Sequence, residues 1–73
     1  MVELDVRTIP PREKHPRIFQ MLSALKSGES LRITNDHDPK PLRYQLDAEH
    51  PNEFGWNYCD SGPEVWVVDI KRQ

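Results

Sequence analysis

Two histidines, His15 and His37, and the acidic pair Asp36 and Asp38 are the side chains in this sequence with the most chemistry to offer. A neutral imidazole ligates Zn, Cu, Ni or Fe, and two imidazoles with a carboxylate make a workable ligand set. A transition metal or a haem-type group is therefore one candidate occupant, with His15 and His37 as its ligands. No short-spaced motif such as His-Glu-x-x-His is present, and the two histidines lie far apart in the chain. Arg7, the two histidines and the free N–H groups of a helix start suit a small anion instead. A third reading needs no ligand: Asn, Asp and Pro before a helix are what any strand-to-helix turn prefers, and Asp36 or Asp38 would then only cap. The candidate ligand-binding residues are Arg7, His15, Asn35, Asp36, His37 and Asp38; no catalytic residue is assigned. The single cysteine, Cys59, alternates with Phe54, Trp56 and Tyr58, a pattern that predicts a small buried residue rather than a reactive thiol.

The elements that must position these residues follow from hydrophobic periodicity. Val2 to Val6 alternates apolar and acidic residues, as a half-buried strand does. From about Pro16 to Lys26 the apolar residues Ile18, Phe19, Met21, Leu22 and Leu25 form one helical stripe. Pro16 is tolerated in a first turn, where its missing N–H costs nothing, and Gly28 suits the position just past a helix end. Glu29 to Thr34 reads as a second strand, 35–38 as a polar loop, and Pro39 to Glu49 as a second helix. That helix turns Leu42 and Leu46 inward, with Tyr44 at the margin and His50 at its end. Phe54 to Cys59 is a third strand, Asp60-Ser61-Gly62-Pro63 a turn, and Glu64 to Ile70 the last strand. The order β-α-β-α-β-β implies an α/β (α+β) two-layer sandwich: a four-stranded mixed sheet with two helices on one face.

A chain of 73 residues has room for one domain, residues 1–73, and one modest core. Ten basic against twelve acidic residues give a formal charge of −2, which argues against a nucleic-acid module that relies on a broad basic surface. The same balance gives no reason to sit on an anionic membrane, and no stretch is apolar enough to span one. A lone cysteine and no export signal make the reducing cytoplasm the expected compartment. The expected assembly is a monomer or weak dimer.

Several local residues resemble the TusA/SirA-like proteins. Leu4-Asp5, Gly28-Glu29 and Asp38-Pro39 match that family in order, over nearly the whole chain. Aligned on those motifs, Pro11 stands where the family carries its cysteine, and proline cannot accept a persulfide sulfur. A closer likeness is to the family of domains of unknown function numbered 2249. The marks are Asp5-Val6-Arg7, His15-Pro16 and the run Asn35-Asp36-His37-Asp38-Pro39-Lys40-Pro41-Leu42. Such domains occur alone or beside hemerythrin-like and other redox-associated domains, which implies a redox setting and a redox protein as partner. The resemblance also implies that the first two strands run parallel. The loops after them then emerge side by side, and His15 and His37 converge on one pocket at two helix starts. The expected function is thus an accessory, non-catalytic module in redox metabolism that binds a metal, a cofactor or a partner protein through those loops. The alternative is a sulfur carrier related to TusA, acting through an exposed Cys59 of lowered pKa.

Overall fold

Alternation of apolar and polar residues at the two ends and in the middle of the chain builds a single sheet. The computed structural model describes residues 2–73. In chain order it holds β1 (Val2–Asp5), α1 (Pro11–Ser23), β2 (Ser30–Asn35), α2 (Lys40–Glu49), β3 (Phe54–Ser61) and β4 (Trp66–Arg72). The strands lie in the order β1-β2-β4-β3. β1 pairs in parallel with β2, Leu4 opposite Ile33, so α1 has to serve as the crossover between them. β4 runs antiparallel to both β2 and β3, with Ile33 opposite Val68 and Trp56 opposite Ile70. The sheet is therefore mixed, as the element order implies.

Leu31, Ile33, Val68 and Ile70 project from the same face of the two central strands, and all four are buried. Ile18 and Leu22 from α1 and Leu42 and Leu46 from α2 join them in one cluster, so both helices cover that face. Phe54, Trp56 and Tyr58 of β3 pack against its rim. The alternate residues, Arg32 and Asp69 among them, point to the uncovered face and pair there, Arg32 Nε donating to Asp69 Oδ1 at 2.8 Å. Tyr44, expected at the margin, stands outside the core at 66% exposure.

Four local expectations are corrected. α1 starts at Pro11, not Pro16, because Pro11 at its first position already has the helical φ and loses no useful N–H. Pro16 consequently lies inside the helix, where it withholds one hydrogen bond from the carbonyl of Arg12. Gly28 is not the residue after the helix. It sits at φ 87° in the turn that follows, its N–H donating to the carbonyl of Arg72 at 2.7 Å. Neither Asp36 nor Asp38 caps α2: its N-cap is Pro39, and no side chain caps it or α1. β4 begins at Trp66, because Glu64 and Val65 belong to the connection from β3.

Candidate functional site

The parallel pair β1 and β2 ends on the same side of the molecule, and each strand leads into a helix. The two junctions lie side by side: Val6 N–H, just past β1, donates to the carbonyl of Thr34 at 3.0 Å. Between them opens a cavity of about 200 Å³. Its walls are the core side chains Val6, Ile18, Ile33 and Leu42, together with Pro11, Pro39 and Pro41 at the helix starts. Its polar lining is Lys14, His15, Asn35 and His37. The structure thus brings His15, His37 and Asn35 together, across the long separation in sequence.

Both imidazoles are held through the same nitrogen. His15 Nδ1 lies 2.8 Å from Oε1 of Gln45 on α2, and His37 Nδ1 lies 2.6 Å from Oδ1 of Asp36. An oxygen acceptor at Nδ1 fixes the proton there and leaves Nε2 as the atom each ring offers to a partner. Asn35 is buried at 5% exposure; its Oδ1 accepts the N–H of Asp36 at 2.9 Å, and its amide Nδ2 donates to nothing among the described residues.

The remaining candidates are placed around the cavity rather than in its lining. Arg7 turns back onto Asp5, with Nε at 3.0 Å from Oδ1 and Nη2 at 2.7 Å from Oδ2. That guanidinium holds the Asp5 carboxyl down to about 2. Asp36 supports His37, and this hydrogen bond lowers the Asp36 carboxyl below its usual range. Asp38 accepts the Tyr58 hydroxyl at 2.7 Å and lies 4.0 Å from Lys40 Nζ. Burial, and then the bond to Asp38, raise the Tyr58 phenol. Asp38 therefore pins the loop before α2 to β3. Among the described residues no three His, Cys, Asp or Glu side chains gather as a ligand group. The volume also falls below the roughly 300 Å³ at which sites for drug-sized ligands begin, too small to enclose a haem-type group.

Sequence reasoning missed Gln45 and did not place Lys14 among the ligand-binding candidates. Gln45 stands three residues after Leu42, on the inward side of α2, and an amide on that stripe was the signal that could have marked it. Nothing in the pattern distinguishes Lys14 from the other cations of α1.

Cys59 lies away from this cavity. It is exposed, not buried, because it is the extra residue of a bulge: Tyr58 faces Val68 while Asp60 already faces Val67. Its Sγ is 3.8 Å from Arg32 Nη2 on the uncovered side of the sheet. A hydrogen bond to Asp69, and then burial, push the thiol above its ordinary value, against the pull of Arg32. The sulfur-carrier alternative needs the opposite shift.

Among the described residues no helix is long and apolar enough to cross a membrane. No curated protein matches the chain, and no solved structure does either. A family model does match, that of an uncharacterised conserved protein, over residues 3–72. Nearly every described residue is thereby covered, and the chain belongs to the DUF2249 family.

Proposed function

We propose that this chain is a non-catalytic binding module whose site is the cavity between the two strand-to-helix junctions. The observation that carries the reading is the common anchoring of its imidazoles. His15 and His37 are each tied at Nδ1, one to Gln45 and one to Asp36, so both present Nε2 at a cavity that also receives a buried Asn35. Such anchoring orients a ring toward a ligand and fixes its tautomer. Nothing in the lining is a nucleophile with an adjacent base, which is why binding is favoured over turnover.

A metal is the second reading. Nδ1 anchoring by a carboxylate or carbonyl oxygen is the usual support for a ligating histidine. Here two Nε2 atoms would have to be completed by ligands from outside the chain. The setting in redox metabolism, beside a redox protein such as a hemerythrin-like one, rests on the resemblance alone, and the cytoplasm on the lone cysteine; both are proposed on that basis.

Nuclear magnetic resonance titration of the backbone and imidazole signals tests the module. Zn²⁺, Cu²⁺, Ni²⁺ and Fe²⁺ are added in turn, then a panel of small organic molecules, to the native chain and to a His15→Ala, His37→Ala variant. Saturable shifts confined to Lys14, His15, Asn35 and His37, lost or weakened in the variant, support the reading. Shifts centred on Cys59 and Arg32 instead, or no saturable shift with any addition, overturn it.

A further inference from the structure

We infer that the occupant of this cavity is a small organic monoanion with a compact apolar body, of the class of benzoate or a short branched-chain carboxylate. The inference rests on the binding-module reading above and adds the chemistry of the ligand. Size comes first. An engineered apolar cavity of about 150 Å³ accepts benzene, so about 200 Å³ accommodates a body of that order with one polar group added. Val6, Ile18, Ile33 and Leu42 are all at most 2% exposed and give that body an apolar wall.

The polar lining then selects the charge. Lys14 is its cation, Asn35 contributes an amide, and it holds no carboxylate. The acidic residues nearby are engaged elsewhere: Asp5 by Arg7, Asp36 by His37, and Asp38 by Tyr58 and Lys40. Asn35 supplies a hydrogen-bond donor at the cavity. Its oxygen accepts the Asp36 N–H, while its amide N–H groups, on a side chain more than nine-tenths buried, meet no acceptor among the described residues. The amide is not one of the fully enclosed unpartnered atoms, which among the described residues are Trp56 Nε1 and Arg72 Nε, so it stays accessible at the cavity, where a carboxylate would accept from it. Both helices also begin at the cavity without a capping side chain, so their positive dipole ends face an anion there; Pro11 and Pro41 bring no N–H, and that of Glu13 is taken by the Pro10 carbonyl at 2.8 Å.

The test uses the isotope-labelled full chain and four probes: benzoate, isovalerate, acetate and benzyl alcohol. Benzoate and isovalerate are expected to give saturable shifts at Lys14, Asn35 and the methyl groups of Ile18 and Ile33. Acetate lacks the apolar body and benzyl alcohol lacks the charge; each is expected to bind at least about tenfold more weakly, acetate for the apolar surface it does not bury and benzyl alcohol for the charge-assisted hydrogen bond it does not make. Lys14→Met, a change on a half-buried and uncapped helix turn, is expected to weaken benzoate about tenfold while leaving benzyl alcohol unchanged. Equal binding of benzyl alcohol and benzoate overturns the anion and leaves the cavity module standing. Saturable Zn²⁺ binding with no benzoate or isovalerate binding overturns the anion in favour of a metal. Silence toward all four probes and toward the metals overturns both.

Discussion

The thiol of Cys59 is open to solvent and still held as the neutral acid. Its neighbours decide this: Asp69 binds the S–H, whereas Arg32, which would favour the thiolate, is engaged by the same carboxylate at 2.8 and 3.0 Å. Thiolate is the reactive form, so exposure alone does not make the residue a nucleophile. Replacing Asp69 with Asn removes the carboxylate and frees the guanidinium. The expected result is faster alkylation of Cys59 by iodoacetamide at neutral pH; an unchanged or slower rate would contradict this account. The same pair has a pH signature. Arg32 lowers the Asp69 carboxyl, so the stabilisation is present above the ordinary carboxylate range and is lost as pH falls through the depressed value. Acid unfolding of the Asp69→Asn variant is expected to show that much less pH dependence. At this scale His15, His37 and Asn35 were legible because histidines and turn-forming residues before helices are rare enough to stand out. Arg7 was misread. Its two-residue spacing from Asp5 allows the two to pair, and the local partner took it.

At the scale of elements, periodicity located every strand and helix, because each buries one stripe against the same core. The ends were less legible. Proline is compatible with several positions near a helix start, and here Pro10 and Pro11 precede and open α1 while Pro16 lies within it. The strand pattern of β3 could not reveal that Cys59 is unpaired, since a bulge shifts the register without changing the alternation of residues. Pro16 gives a direct test of α1. It sits in the helix interior on an exposed surface, denying a bond to the Arg12 carbonyl. An interior proline costs a helix up to about 3 kcal/mol, and the stiffer unfolded chain returns up to about 1 kcal/mol of that. Pro16→Ala is therefore expected to raise stability by about 1–2 kcal/mol in urea unfolding; a loss of stability would show that the ring itself is required where it stands.

For the whole molecule, one cluster of ten buried residues carries the fold and also walls the cavity: Val6, Ile18, Ile33 and Leu42 belong to both. A chain of this size has only a small margin of stability. Leu22, 1% exposed and on the α1 stripe but not in the cavity lining, separates the two roles. Leu22→Ala is expected to cost about 2–5 kcal/mol, enough to leave a large unfolded fraction at room temperature, visible as a collapsed amide spectrum. A well-dispersed spectrum with unchanged melting would mean that the core tolerates the void.

β1 is the shortest strand, and it borders the sheet with β2 as its single neighbour. It can detach by a local opening that leaves the β2, β4 and β3 ladder intact, and such openings govern how fast backbone amides exchange with solvent hydrogen. Detachment would carry Val6 away from Thr34 and remove one wall of the cavity. A bound molecule must then be released before the strand can leave. Its binding energy opposes the opening by RT ln(1 + [L]/Kd). Occupancy of the cavity is thereby coupled to the exchange lifetime of an edge strand, most of whose residues never meet the ligand.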